Sequence, residues 1–402
     1  MIRQVAFLSI HTSPLERPGS GDAGGMNVYV NELARTLARR GVAVDVFTRR
    51  SRPDLEPVVP VGDGYRVIHV DTGLEGAGTG GLAETVGSFA EGVIKFSYLD
   101  GRSYEVVHSH YWLSGWAGVL VKEALHVPLA NSFHTLGRIK DALRHPLDPP
   151  VGLLRIRTEH GVVAQSDCVI ASTPAESRDL LEHYEAAPER LCISPPGVDH
   201  SVFTPGDREL SRSRLGLGAG PLILFAGRIQ RLKGIDVALR ALSSPVLDGA
   251  RLLVVGGPSG VGGDQELKRT RALASELGLA DRVVWCPPVA HEELVDCYRG
   301  ADVVVVPSRA ESFGMVAVEA QAAGRPVVAS AVGGLRYAVD DGRSGILVAG
   351  HDPADYAVAL ASILRDPSRA DSMRAAGVDH ARRFDWETST DRMLELYDGI
   401  TP

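Results

Sequence analysis

The 402 residues, 44% apolar and 23% charged, have the balance of an ordinary globular chain and are enough for two or three domains with separate cores. A net charge of −8 points away from nucleic acid as a partner, and no apolar run approaches the ~20 residues of a membrane span. Cys168, Cys192, Cys286 and Cys297 include no CxxC pair, so free buried thiols in a reducing cytosol are expected rather than a zinc site. The N-terminus enters a strand without the h-region and cleavage site of a signal peptide, and a cytoplasmic protein is the expectation.

Taken in chain order, the elements alternate between strand and helix. A β-branched run over 4–10 is followed by a polar loop, 11–24. Met26, Val30, Leu33 and Leu37 then recur on one helical face until Gly41, and 42–48 is the next strand. Strands are predicted over 66–70, 106–109, 129–133, 168–171 and 191–194, with helices over 114–125, 154–165 and 175–183. The Gly- and Thr-rich section 72–90 reads as a loop, and 137–151 as irregular. Pro195-Pro196-Gly197, the turn at 203–206 and the charged segment 207–216 read as a linker. The alternation restarts with strands at 222–226, 251–255, 283–285, 303–306, 327–330 and 346–348, and helices at 234–242, 266–277 and 291–299. The tail 353–399 reads as helical throughout. The expectation is an α/β protein with two successive parallel-sheet domains facing a cleft. Ligands of such sheets bind beyond the carboxyl ends of the strands, so both domains should contribute to one site.

The section 307–326 carries the densest chemistry. Glu311 lies in a polar turn and Glu319, eight residues on, in a helix that should start at Gly314. A helix start offers unpaired N–H groups to an anion, and carboxylates accept strongly from hydroxyls, so the pattern suits a nucleotide-sugar. Arg228 and Lys233 follow the 222–226 strand, where two cations can neutralise a diphosphate leaving group. Gly19-Ser-Gly21-Asp-Ala-Gly24 matches G-x-G-x-x-G, but eight residues separate it from the strand and Asp45 falls mid-strand, so a dinucleotide site is not expected. Gly24 and Gly25 can still bring bare N–H groups to a diphosphate, with Asp22 and Asn27 adding polar groups to the same loop. Tyr111 and His134 lie past strand ends, where site residues belong; His108 reads as a structural histidine. No D-x-D, H-E-x-x-H or Ser/His/Asp order suggests a metal-bridged diphosphate or a hydrolase.

Arg228 with Lys233, Glu311 with Glu319 at E-x7-E spacing, Gly24-Gly25 and His134 resemble the retaining GT-B glycosyltransferases of family 4. The opening block 11–27, His108 to Gly115 and Gly256 to Gly260 are similar to the branch of that family acting in the mycothiol pathway, and the likeness spans nearly the whole chain. It implies a Rossmann-like acceptor domain (1–200), a Rossmann-like donor domain (201–383) and a final helix (384–402) crossing back to the first. By this resemblance Arg228 and Lys233 hold the donor diphosphate, Glu319 takes the ribose hydroxyls, and Glu311 and Gly314 lie by the sugar and phosphates. Gly25 and Arg17-Pro18 lie near the nucleotide and His134 at the donor sugar, while His11, Asp22, Asn27, Tyr111, Thr135 and Arg155 surround the acceptor. The catalytic set is His134, Glu311, Arg228 and Lys233.

The implied reaction moves N-acetylglucosamine from UDP, with retention and without a metal or other cofactor, to a small polar acceptor such as inositol 3-phosphate. One departure bears on the acceptor. The loop 73–84 contains no lysine or arginine, and Thr79 stands where the family places a phosphate-holding lysine. That favours an alternative from natural-product chemistry: another donor such as a GDP-sugar, and a non-phosphorylated acceptor such as a low-molecular-weight thiol. A nucleotide-sugar epimerase and a sugar-nucleotide-binding protein remain the rival classes. A homodimer is an option the sequence leaves open.

Overall fold

The computed structural model describes residues 2–19, 21–73, 81–144, 150–259 and 262–401. They form two compact units: unit 1 comprises Met1–Glu16, Gly25–Gly197 and Trp386–Pro402, and unit 2 comprises Arg17–Gly24 and Val198–Asp385.

Unit 1 is built on β1 (Gln4–Leu8), β2 (Ala43–Arg49), β3 (Val58–Gly62), β4 (Tyr65–Val70), β5 (Val106–His110), β6 (Leu129–Ser132), β7 (Cys168–Ala171) and β8 (Leu191–Ile193). Their order is β3-β4-β2-β1-β5-β6-β7-β8, all parallel except that β3 runs antiparallel to β4. The crossovers include α1 (Gly25–Arg39), α2 (Val86–Asp100), α3 (Trp112–Leu125), α4 (Gly137–Ala142), α5 (Leu153–Gln165) and α6 (Pro174–Tyr184). The chain turns one way from β1 to β2 and returns on the other side of β1 as β5. Such a switch point leaves a crevice at the carboxyl ends of those two strands.

The last helix, Trp386–Ile400, also belongs to unit 1 and packs on α1. Its Trp386 meets the Tyr29 ring edge-on at 5.7 Å, and Arg39 and Arg40 pair with Glu387 at 3.1 and 2.8 Å. These ion pairs are exposed and count for little; the buried Trp386, Met393 and Tyr397 hold the helix down.

Unit 2 begins its folded body with α7 (Arg208–Arg214) and alternates β9 (Leu222–Ala226), α8 (Ile235–Leu242), β10 (Arg251–Val255), α9 (Gly263–Glu276), β11 (Val283–Cys286), α10 (Leu294–Gly300), β12 (Val303–Val306), α11 (Met315–Ala322), β13 (Val327–Ser330), α12 (Leu335–Ala338) and β14 (Gly345–Val348), then α13 (Pro353–Leu364) and α14 (Pro367–Ala381). Its sheet, β11-β10-β9-β12-β13-β14, is wholly parallel. The four valines of β12 are all buried, the unbroken apolar run of a strand covered on both faces. The order switches between β9 and β12, and the loops leaving those strands carry Arg228 to Lys233 and Pro307 to Gly314.

Several expectations need correction. The section 72–90 is not all loop, since α2 starts at Val86; residues 74–80, including Thr79, lie outside the described residues. Strand β3 went unread because Pro60 breaks its pattern, and Pro suits the edge position it occupies. The charged 207–216 segment is mostly helix, capped by the Asp207 side chain accepting from Leu210 N at 2.9 Å. The tail is three helices, with Asp366 capping the second. Residues 17–24 group with unit 2 rather than with the N-terminal domain, because Gly19 packs on Pro288 and Gly257.

Candidate functional site

In unit 2 the two switch-point loops are tied together by charge. Lys233 donates to Glu311 Oε2 at 2.6 Å, and Ser308 lies 3.2 Å from the same oxygen. One residue pair further out, Arg309 reaches across to Asp236 with both terminal nitrogens (3.0 and 2.8 Å) and donates to the Arg231 carbonyl. The backbones touch as well. Gly234 sits at φ +70°, and a Cβ there would lie 1.9 Å from the Pro307 carbonyl oxygen, so only glycine allows this approach. On the far side Gly334 N donates to the Glu311 carbonyl at 2.8 Å. Glu311 is therefore fixed from both flanks while its side chain, like that of Lys233, stays partly exposed at 19% and 23%.

Gly314 caps α11 at φ +106°, so the helix starts where the spacing predicted. Glu319 lies one turn in and is buried; it accepts from Tyr298 at 2.7 Å and from His291 Nε2 at 2.9 Å. Neither partner was anticipated. A carboxylate has about four acceptor positions, so two filled ones leave room for ligand hydroxyls. Arg228 is half-buried beside Gly24, whose Cβ position would be 3.2 Å from the Arg228 Nε. Thus Gly24 belongs with the cations of unit 2, whereas Gly25 opens α1 in unit 1. Arg17 is exposed, and Pro18 and Asp22 are half-buried, all in the 17–24 stretch of unit 2.

In unit 1 the loops after β1, β5 and β6 meet at the other switch point. His11 packs edge-on against Tyr111 at 4.9 Å between ring centroids. Arg155 from α5 donates to the Tyr111 hydroxyl at 2.7 Å, to the Thr135 carbonyl at 2.9 Å and to Glu159 at 2.7 Å. Glu159 in turn accepts from Gly137 N and from the Tyr184 hydroxyl, so a fully buried carboxylate aims the guanidinium. Asn27 is buried and donates to Thr12 and to the Ser13 carbonyl, which holds the β1 loop.

Backbone strain marks the same place. Four non-glycine residues have positive φ among the described residues; His126 and Glu185 end helices, whereas Tyr111 and His134 stand at strand ends in the site. Tyr111, at φ 78° and ψ 168°, occupies a region that is nearly glycine's alone, at a cost of about 1–3 kcal/mol. Hydrogen bonds from Tyr111 N to the Ser132 carbonyl and from Gly115 N to the Tyr111 carbonyl keep it there.

His108, His110 and His134 form a neutral polar core behind this strain. Burial pushes His108 and His134 down to about 3 and His110 well below its ordinary value. His108 lies 2.6 Å from the Tyr397 hydroxyl and 2.9 Å from Ser132 Oγ, the structural role expected of it. His110 Nδ1 lies 3.1 Å from His134 Nε2, and His110 Nε2 is buried without a partner. A bare ring nitrogen is cheaper to bury than an orphaned N–H, so the His110 proton sits on Nδ1 and is donated. His134 is then left with its own proton on Nδ1, a neutral hydrogen-bond donor. Sequence reading passed over His110. Its signal was there: His108-Ser-His110 puts two histidines on one face of a strand. Nearby Glu176 is buried in the first turn of α6, and burial pushes it up to about 7.

Among the described residues no helix is long and apolar enough to cross a membrane, and no three or more His, Cys, Asp or Glu side chains are grouped to hold a metal ion. Residues 24–197 match the glycosyl transferase 4-like domain, and residues 207–380 match glycosyl transferases group 1. The chain is 48% identical to the D-inositol 3-phosphate glycosyltransferase of Geodermatophilus obscurus over 98% of its own length and 89% of that protein's. It is 46% identical to that of Stackebrandtia nassauensis, over 98% and 91%. Among solved structures it superposes on sucrose-phosphate synthase from Thermosynechococcus elongatus with a TM-score of 0.92 at 32% identity, covering 99% of both chains. It also shares its fold with Anabaena HepE in complex with UDP-glucose, at a TM-score of 0.77 and 19% identity, over 98% of this chain and 99% of that one.

Proposed function

The chain belongs to the GT-B glycosyltransferases and is an enzyme of that class; on that premise we propose that it transfers N-acetylglucosamine from UDP to an inositol phosphate, with retention. The observation that carries the donor half is the Lys233–Glu311 pair at the β9/β12 switch point, with Arg228 in the same loop as Lys233 and Gly314, the cap of α11, three residues after Glu311. In this reading Arg228 and Lys233 stabilise the charge that develops on the leaving diphosphate, and Glu319 accepts from the ribose hydroxyls. The sugar–phosphate bond breaks, and the acceptor oxygen bonds to the anomeric carbon on the same face. The acceptor proton passes to an oxygen of the departing diphosphate. His134 fits this scheme as a neutral donor to the sugar, since a group held down to about 3 is too weak a base to take the proton. The two cations meet the diphosphate's charge, and we infer that no divalent metal is needed; EDTA is expected to leave the rate unchanged.

The acceptor assignment rests on the relatives' names and on Arg155, which Glu159 and Tyr111 hold in place. Against it stands the absence of any cation in 73–84, which favours an acceptor without phosphate. One screen decides. UDP- and GDP-sugars are each incubated with inositol 3-phosphate, free inositol, a low-molecular-weight thiol, or no acceptor. Product is followed by mass spectrometry and its anomeric configuration by proton NMR. Turnover of UDP-N-acetylglucosamine with inositol 3-phosphate alone, giving an α-linked product, is the expected result. Faster turnover with an uncharged acceptor would replace the assignment, and a C2 epimer formed without acceptor would make the enzyme an epimerase.

A further inference from the structure

We propose that unit 2 carries a second anion site, built round Arg325 at the amino-terminal edge of its sheet, that takes a phosphate group. Arg325 precedes β13 and is only 6% exposed. Its Nε is enclosed and has no hydrogen-bond partner. The register Val304↔Val327 between β12 and β13 places Arg325 level with Asp302 on the neighbouring strand. Asp302 is already taken: Arg208 holds one carboxylate oxygen at 2.7 Å and Arg212 the other at 2.8 Å. A fourth arginine comes from α14. A Cβ placed on Gly324, the neighbour of Arg325, would lie 3.8 Å from Val378, and Arg374 lies one turn before Val378 on that helix. Arg374 is paired through one terminal nitrogen with Asp371, while its Nε is also buried and without a partner.

Four guanidinium groups thus face three carboxylates: Asp302, Asp371 and the exposed Glu209, which pairs with Arg208. The cation left over is the most deeply buried one but for Arg212, which has both Asp302 and the Gly300 carbonyl. An unpaired charge in such a place is costly unless an anion meets it. Burial, and then Arg374, pushes Arg325 down to about 10, the direction expected of a cation lacking a counter-charge. The planar fork of arginine matches phosphate oxygens in pairs, and the terminal nitrogens of Arg325, with Arg374 beside them, give a phosphate charge-assisted donors. The site is at the opposite end of the strands from Lys233 and Glu311, so its occupancy does not require the donor pocket.

The test uses inorganic phosphate and the variants Arg325→Met and Lys233→Ala of the full chain. Calorimetric titration is expected to show a phosphate-binding event that survives Lys233→Ala and weakens at least about tenfold in Arg325→Met, the loss of one charge-assisted contact. In phosphate-free buffer Arg325→Met is expected to melt about 2 °C or more above the parent, because it removes an unpaired buried charge. Adding phosphate should close that gap by raising the parent alone. Equal phosphate affinity in the parent and Arg325→Met, or no binding to either, would overturn the site. So would a lower melting temperature for Arg325→Met in phosphate-free buffer, which would show that Arg325 is already satisfied.

Discussion

The two switch points solve the same positional problem in opposite ways. In unit 2 the groups set at the strand ends are charged and partly open, with Lys233 and Glu311 about one-fifth exposed. In unit 1 the corresponding groups are enclosed: Glu159 is fully buried, Arg155 nearly so, and three histidines are held neutral by burial. An open charge can meet ligand charge without first losing a protein partner at great cost. An enclosed network is rigid, and its members depend on one another for folding. The comparison predicts that breaking the Arg155–Glu159 network of unit 1 damages stability, while breaking the Lys233–Glu311 pair of unit 2 damages chemistry and leaves the fold intact.

Arg155→Met should show the largest effect. It leaves Glu159 as a buried charge without its cation, at a cost of about 3–5 kcal/mol, read as a large fall in the denaturation midpoint. A midpoint close to the parent's would mean that the pair is not the keystone of unit 1. Lys233→Ala should lower the turnover number by about 10²–10³ while moving stability by no more than about 1 kcal/mol, the range of an exposed pair. Initial rates at saturating donor, with a melting curve alongside, check both halves; unaltered turnover would remove Lys233 from the chemistry. His110→Phe keeps a ring among Phe7, Tyr29 and His134 but deletes the donor to His134, so a three- to tenfold fall in rate is expected, and His110→Asn should restore most of it.

Stability should also depend on pH. Unfolded imidazoles take up protons as pH falls through about 6.5, whereas His108 and His134 in the folded chain do so only near 3. The unfolded state therefore binds more protons across that window, and stability is lost as pH falls through it. Glu176, pushed up to about 7, works the other way: the folded chain keeps its proton after the unfolded one has released it near 4.5, so its contribution fades as pH rises. Three histidines outweigh one carboxyl, and urea midpoints should rise between pH 4.5 and 6.5. A falling midpoint over that range would show that the histidines are not held neutral.

Much of this was legible in the residues, and for physical reasons. Buried parallel strands announce themselves as β-branched runs, so β7, β9, β10, β12 and β13 were read to the residue. The order of those strands, and hence the switch points, depends on pairing that no local pattern encodes. Helix α2 went unread because its first turns follow a Gly-rich section and its start has no side-chain cap. Within the site, residue type and position past a strand end marked Lys233, Glu311, Tyr111 and His134. What stayed hidden were the partners supplied from afar: Glu159 and Tyr184 behind Arg155, and Tyr298 and His291 on Glu319.

The final helix has a consequence for the order in which the polypeptide matures. Tyr397 closes the hydrogen-bonded histidine core of unit 1 and Trp386 covers Tyr29, yet both emerge from the ribosome after every residue of unit 2. Unit 2 can reach its native state while unit 1, although begun first, waits with the Tyr29 and His108 surfaces uncovered. A nascent chain stalled before residue 386 should therefore expose the α1 face to chaperones while its second half can already fold.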